Sequence, residues 1–155
     1  MRPRAAVDAT GRKVKGFGED VAVQRGYVST LKCLLRRGRL SDERLLCAAA
    51  ARVGDLEALK ALRCAENFPW DERTCAIAAM GAHLEVLKWA HANDCPWDEN
   101  TCARAVYRGH LEVLKWAHAN GCPLSHSTRL DLISMKNRRG FQSEVVQWLE
   151  EIVGG

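Results

Sequence analysis

The residues best suited to chemistry in this 155-residue sequence are histidines and cysteines at a fixed spacing. His91 and Cys95 form an H-x-x-x-C pair, and His118 and Cys122 form a second pair 27 residues later. Two imidazoles and two thiolates are a ligand set that zinc accepts. A shared ion would require both pairs to reach one point, so the zinc hypothesis depends on how the elements that carry the pairs are arranged.

The sequence contains none of the common catalytic signatures. It has no G-x-S-x-G, no H-E-x-x-H, no phosphate-binding loop and no dinucleotide fingerprint. His83 and His110 are also spaced by 27 residues, which indicates that they occupy equivalent positions in a repeated unit. We therefore predict that the protein is not an enzyme and that it has no catalytic residue.

An internal repeat organises the chain. The stretch HLEVLKWAHAN occurs at residues 83–93 and, unchanged, at residues 110–120. A fixed period of this size is typical of a solenoid, in which each unit stacks on the next because it cannot bury its apolar face alone. Stacking by one unit separates equivalent side chains by about 10 Å. The two H-x-x-x-C pairs are then too far apart to share an ion, so we predict no metal and no cofactor.

Each unit has the pattern helix, turn, helix. The short first helix of the fourth unit, TCARAVYR, ends at Gly109, and the second ends at Asn120-Gly121. Thr74 and Thr101 are predicted to cap the first helices of the third and fourth units, and Ser41 that of the second. Weaker copies extend the array in both directions. We predict a flexible basic arm at 1–18 and a repeat domain at 19–155, with units near 19–40, 41–67, 68–94, 95–121 and 122–153. The last unit has an irregular insertion around SMKNRRG.

The string GHLEVLKWAHANGCP, together with the Thr-initiated Ala-rich helix before it, resembles the ankyrin repeat. The resemblance extends from about residue 21 to 152 and is strongest at 68–124. The period is 27 or 28 residues here, whereas the standard ankyrin unit has about 33. The missing residues fall between Asn-Gly and Thr, where ankyrin repeats carry a β-hairpin finger. A Cys-Pro-Trp-Asp linker stands there instead. The resemblance implies an all-α, ankyrin-like helix-turn-helix solenoid with β-hairpin fingers shortened or absent.

The same resemblance implies how the repeats work. In this family the histidine at the start of the second helix serves the turn between helices, so we expect a structural role for His83 and His110. Ankyrin-like proteins line their concave face with the first helices, and a solenoid's concave face is its extended binding surface. We therefore predict a non-catalytic scaffold that binds a protein partner, of unknown identity, on the concave first-helix face.

Comparison of the central units selects candidate partner-binding residues. The second helix is constant, whereas the first helix varies at several positions, including Ile77 against Arg104 and Met80 against Tyr107. This variation is either a binding specificity or drift on a solvated face. Trp70 and Trp97 in the linkers either cover the seams between repeats, which we favour, or anchor a partner. The predicted partner-binding residues are Trp70, Arg73, Ile77, Met80, Trp97, Asn100, Arg104, Tyr107 and Arg108.

The charge of the chain is uneven and suggests an alternative function. Residues 1–40 carry ten Lys or Arg and three Asp or Glu, whereas residues 41–155 carry thirteen against sixteen. The basic N-terminal arm is suited to nucleic acid or an acidic partner. No aromatic interleaving or known nucleic-acid module accompanies it, so a nucleic-acid partner is not our first expectation. A further alternative is that the chain is an orphan fragment of a larger repeat array.

Composition and targeting signals concern the cellular setting. The sequence has 47% apolar residues but no unbroken apolar run of the roughly 18 residues that a membrane helix needs, and no secretion signal. Seven cysteines is an odd number, and several recur at the repeat period, which favours buried packing residues over disulfides. We expect an intracellular protein, cytoplasmic or nuclear, that does not associate with membranes and is a monomer.

Overall fold

The computed structural model describes residues 18–135 and 143–154, and within these ranges it contains helices and no strand. This confirms the predicted all-α helix-turn-helix solenoid. Residues 1–17 of the predicted arm at 1–18, and most of the SMKNRRG insertion, lie outside the described residues. The helices are α1 (Glu19–Gln24), α2 (Val28–Arg36), α3 (Arg44–Val53), α4 (Leu56–Lys60), α5 (Glu72–Met80), α6 (Leu84–Ala92), α7 (Glu99–Arg108), α8 (Leu111–Ala119), α9 (His126–Met135) and α10 (Ser143–Gly154), with a π-helical turn, Ala61–Ala65, after α4.

The helices are arranged in pairs. Helices α1, α3, α5 and α7 are first helices and pack side by side in that order. Each of them also packs against the second helix that follows it, and α4 contacts α6 in the next unit. The unit boundaries near 41, 68, 95 and 122 stay a prediction, but each proposed unit contains one such pair.

The first helices are capped by aspartates and not by threonines. The Asp71 carboxylate accepts a hydrogen bond from the backbone N–H of Arg73 at 3.1 Å, and Asp98 accepts one from Asn100 at 3.0 Å. Asp71 and Asp98 have extended backbones, which lets the side chain turn back to the free N–H groups. The prediction of Thr caps is wrong, because both threonines already lie inside their helices and are fully buried.

The Ser41 cap is also wrong. Helix α3 begins three residues later, and the N–H of its first residue, Arg44, donates to Asp42 at 2.9 Å. Ser41 instead contacts α1: its hydroxyl donates to Glu19 at 2.5 Å and its backbone N–H donates to the same carboxylate at 2.8 Å. These two hydrogen bonds lower the pKa of Glu19. Ser41 therefore connects the first unit to the second.

The turns between paired helices use the left-handed backbone region. Gly109 follows α7 with φ of 73°, as predicted, but Ala82 occupies the equivalent turn after α5 with φ of 59°. An alanine is strained there because its Cβ approaches the following carbonyl oxygen. The second helices end in the same way, at Asp94 and Gly121, so the predicted end at Asn120-Gly121 is confirmed.

The core is built from small side chains on first helices and branched aliphatic side chains on second helices. Leu87 and Leu114 are fully buried at equivalent positions of α6 and α8. Burial raises the pKa of the Cys47 thiol to about 11, which keeps it protonated as a packing group. No cysteine in the described ranges forms a disulfide. The buried ones, which confirm the packing prediction, are Cys47, Cys75, Cys95, Cys102 and Cys122.

Candidate functional site

We call the outward side chains of α5, α7 and α9 the first-helix face. On it, the Arg104 guanidinium of α7 lies 3.3 Å from the Met80 sulfur of α5. One layer further, the Tyr107 hydroxyl donates to the Asp131 carboxylate of α9 at 2.5 Å. This hydrogen bond raises the pKa of Tyr107, because loss of the proton would place two negative charges together. The stack thus brings predicted residues of successive first helices into direct contact.

Exposure differs across the first-helix face. Arg104 and Arg108 are exposed, and Tyr107 keeps 43% of its surface accessible. Ile77 and Met80 are half-buried beside them. The face therefore combines accessible charge with accessible apolar and aromatic surface. Partner contact by these five residues stays a prediction.

Arg73 and Asn100 lie at the starts of their helices, away from this arrangement. Arg73 donates to Asp42 at 2.6 Å and to Asp71 at 2.9 Å, which joins the starts of α3 and α5. Asn100 donates to Asp98 at 2.7 Å within its own turn. Each side chain therefore has a local structural role, and its predicted contact with a partner remains a prediction.

The ion network around Asp42 is the strongest electrostatic feature of the helix starts. Its carboxylate receives the Arg44 side chain at 2.9 Å as well as Arg73. The hydrogen bond from Arg44, reinforced by the one from Arg73, lowers the pKa of Asp42 to about 2 despite partial burial. Both guanidiniums have raised pKa values for the same reason. The network holds its charges in a fixed geometry. Because these charges pair with one another, the network has a structural role.

The linker tryptophans lie against second helices. Trp97 stacks on His91 of the preceding unit at 3.9 Å between ring centroids, and its ring meets Trp116 of its own unit edge-on at 5.9 Å. Trp70 meets Trp89 edge-on at 5.7 Å. Both linker rings are half-buried. Trp97 thus contacts the preceding unit as well as its own, and the Arg63 guanidinium of the preceding unit lies 4.4 Å from the centroid of the Trp70 ring. A further role of either ring as a partner anchor stays a prediction.

The two H-x-x-x-C pairs take part in packing. The Cys95 thiol donates to the carbonyl oxygen of Asp71 at 3.5 Å, and the Cys122 thiol donates to that of Asp98 at 3.4 Å. The hydrogen bond of Cys95 with Cys75, together with burial, raises the pKa of Cys95, which disfavours the thiolate that a metal requires. Hydrogen bonding with Cys102 instead lowers the pKa of Cys122, so the two pairs differ in this respect. Within the described ranges no group of three or more His, Cys, Asp or Glu residues is suited to a metal ion.

His83 and His110 connect neighbouring units. The Nε2 atom of His83 lies 3.1 Å from the carbonyl oxygen of Arg52 at the end of α3, and Nε2 of His110 lies 3.0 Å from that of Met80. A carbonyl only accepts, so Nε2 of each ring carries a proton and donates it to the carbonyl oxygen. The fit is close: a Cβ on Gly81 would lie 2.5 Å from the His83 ring. His83 and His110 therefore have a structural role, and they connect neighbouring units as well as supporting the turn between helices.

Sequence reasoning missed several residues that shape the site. Asp71 and Asp98 recur at the repeat period in a Pro-Trp-Asp string, so this signal was available for the helix caps. Asp131, the partner of Tyr107, lies 27 residues after Arg104, but a shared register does not show which side chains of neighbouring helices meet.

Stacked helix pairs with a continuous row of first helices define a helical repeat protein. Residues 75–118, from α5 to α8, match the family model described as ankyrin repeats (many copies), so this part of the chain is similar to ankyrin repeats. Such repeats generally serve protein–protein interaction and are generally non-catalytic. Comparison with curated proteins and with solved structures gave no significant match. Among the helices of the described ranges, none has the length and apolar character needed to span a membrane.

Proposed function

We propose that this chain is a non-catalytic protein-binding module whose partner docks on the first-helix face. One observation carries the proposal: the exposed side chains of α5 and α7 differ, whereas α6 and α8 are identical in sequence. Stacking needs the second helices and the buried positions of the first helices, and these are kept except that the buried Ala79 of α5 is a valine, Val106, in α7. Most sequence differences between α5 and α7 lie on the exposed surface of these helices, which packing does not constrain.

Contacts between side chains of neighbouring first helices indicate that the first-helix face is one continuous surface. Arg104 reaches back to Met80 on α5, and Tyr107 reaches forward to Asp131 on α9. A partner lying across these helices would therefore meet side chains from three repeats that are already held in place. Pre-organised side chains lose less conformational entropy on binding.

The test is affinity capture followed by quantitative mass spectrometry, with a face variant and a matched control. The face variant replaces Met80, Arg104, Tyr107 and Arg108 with Ala. Arg73 is left in place because its ion pairs join α3 to α5. The control variant replaces four exposed or partly exposed residues of the second helices, Glu85, Lys88, Glu112 and Lys115, with Ala. Circular dichroism and melting curves establish that both variants fold.

We expect at least one protein that the native chain and the control retain and that the face variant loses. Equal retention by all three chains would contradict the proposal. Loss of retention on deletion of residues 1–18, with steep weakening by salt, would favour the basic arm. Capture of no protein would favour the orphan array. The proposed module acts as a monomer in the cytoplasm or nucleus, which sedimentation and imaging of the tagged chain test.

A further inference from the structure

Two arginines on α7 have no carboxylate partner among the residues that the structure describes. Arg104 and Arg108 are both exposed and lie four residues apart, so they share one face of the helix. Arg104 contacts the neutral sulfur of Met80. Neither guanidinium forms a salt bridge with a carboxylate in the part of the chain that the structure describes. Two like charges at this spacing repel one another and destabilise the helix.

This arrangement is specific to one repeat. The equivalent positions on α5 are Ile77 and Gly81, which carry no charge. On the helices around α7, three basic side chains have a carboxylate partner: Lys88 pairs with Glu85, Lys115 with Glu112, and Arg73 with Asp42. The unpaired arginines are therefore not required by the repeat fold.

The surroundings of the arginine pair are apolar and aromatic. Tyr107 lies between the two arginines in the sequence and is 43% exposed, with its hydroxyl turned to Asp131. Met80 is half-buried next to Arg104. An accessible ring and a thioether beside two guanidiniums suit a ligand that carries carboxylates next to an apolar side chain.

We propose that the first-helix face around Arg104 and Arg108 binds an acidic peptide segment of the partner. Two carboxylates of this segment pair with the two guanidiniums, and an adjacent apolar side chain packs against Met80 and the Tyr107 ring. The inference rests on the proposed function and names the chemistry of its partner. Arginine suits this role because its planar fork binds a carboxylate through two parallel hydrogen bonds.

A peptide fits the face better than a nucleic acid does. Nucleic-acid binding requires a continuous basic stripe that follows the phosphates. Here exposed carboxylates interrupt the row of first helices: Glu72 and Glu99 lie at the starts of α5 and α7, and Asp131 lies on α9. Residues 41–155 also carry more acidic than basic side chains. A phosphate backbone that crosses several first helices would meet these carboxylates, whereas a segment with two carboxylates needs only the two arginines.

The experiment selects ligands from a displayed library of random 12-residue peptides and measures the affinity of synthetic copies by fluorescence anisotropy. The test variant is Arg104→Ile with Arg108→Gly, which restores the residues that α5 already uses at these positions. The control is Lys88→Ala with Lys115→Ala, which removes the same charge from the second helices. Melting curves establish that both variants fold. A 20-nucleotide single-stranded DNA is measured in parallel.

We expect selected peptides to be enriched in Asp or Glu next to an apolar residue and to bind more weakly as salt is raised. The arginine variant should bind them at least about tenfold more weakly, and the lysine control should bind them like the native chain. Selection of no peptide, of peptides without acidic residues, or equal binding by both variants would overturn the acidic-segment inference. Selection of neutral peptides that need Met80 and Tyr107 would overturn it while leaving the proposed function standing. If the chain binds the DNA but no peptide, and this binding depends on the two arginines, the ligand of this face is a nucleic acid and not an acidic peptide.

Discussion

Thr74, Thr101 and Thr128 occupy equivalent positions of successive repeats, but their hydroxyl groups are not equally hydrogen-bonded. Thr74 and Thr101 are both fully buried, and no atom of the described residues forms a hydrogen bond with their hydroxyl oxygens. Thr128, the equivalent residue 27 positions after Thr101, is also buried, but its hydroxyl lies 2.9 Å from that of Ser125. The difference arises because Asp98 is replaced by Ser125 in the cap position. An unpaired buried hydroxyl opposes folding, whereas a paired one does not.

A valine at position 101 should therefore stabilise the protein. We expect Thr101→Val to raise the free energy of unfolding by about 1 kcal/mol, because it removes a buried unpaired hydroxyl and keeps the branched shape. Thr128→Val is the matched control and should lower the same free energy, since it breaks a hydrogen bond. Urea unfolding followed by circular dichroism measures both changes. A stability loss in the Thr101 variant equal to that in the Thr128 variant would show that the Thr101 hydroxyl is paired.

At the scale of elements, the first helices are held together by polar contacts at their ends as well as by packing. Arg73 of α5 joins Asp42 before α3, and His83 before α6 joins the carbonyl oxygen of Arg52 in α3. Both contacts connect residues 31 positions apart. They fix the offset between neighbouring helices, and that offset decides which side chains meet on the first-helix face.

The Asp42 network makes a pH-dependent contribution to the joint between α3 and α5. The folded pKa of Asp42 is lowered to about 2, whereas an unfolded aspartate titrates near about 3.9. A lowered pKa means that the contribution is complete above the unfolded value and is lost as the pH falls towards the folded value. The native chain should therefore lose stability in this window more steeply than Asp42→Asn, whose amide oxygen still caps α3.

Urea unfolding at a pH of about 5 and of about 2 measures this effect, with Glu57→Gln as the control on a well-exposed residue. The Asp42 variant should keep part of the pH dependence, because Ser41 also lowers the pKa of Glu19. The difference should be modest, since partly exposed ion pairs contribute little. If the native chain and Asp42→Asn have identical pH profiles of stability, the Asp42 network does not stabilise the contact between α3 and α5.

At the scale of the whole molecule, stability is a sum of unit and interface terms, because each repeat contacts its neighbours. The identical helices α6 and α8 separate these terms: local sequence is the same, so any difference between them comes from what packs around them. Leu87 and Leu114 are fully buried at equivalent positions of the two helices.

We expect Leu87→Ala and Leu114→Ala each to lower the free energy of unfolding by about 2 to 5 kcal/mol, through lost burial and a residual cavity. Chemical denaturation of both variants measures the two values, and their difference reports the surroundings of each repeat. Lys115→Ala, on the exposed side of α8, should change the same free energy by less than about 0.5 kcal/mol. A core variant that unfolds like the lysine variant would contradict the stacking described here.

Local sequence signals predict some features of this protein and not others. Helix pairs, their turns and the buried cysteines could be predicted, because the repeat period and the Gly and Pro positions are local signals. The caps could have been predicted from the Pro-Trp-Asp string, but Asp and Thr are both common at helix N-caps, and which of them caps depends on where the helix begins. The pairing of Tyr107 with Asp131 could not be predicted, since it depends on how far α9 is shifted against α7.

The sequence by itself determined that this chain is an all-α array of ankyrin-like units with a varied first helix and a constant second helix. Periodicity suffices for that conclusion, because amphipathic helices and tight turns depend on residues a few positions apart. Only the tertiary structure decided which varied residues meet, that Arg73 is held by Asp42, and that Arg104 and Arg108 have no carboxylate among the described residues. The physical reason is that hydrogen bonds and ion pairs act over a few ångströms, and the stack brings together groups that are far apart in the chain.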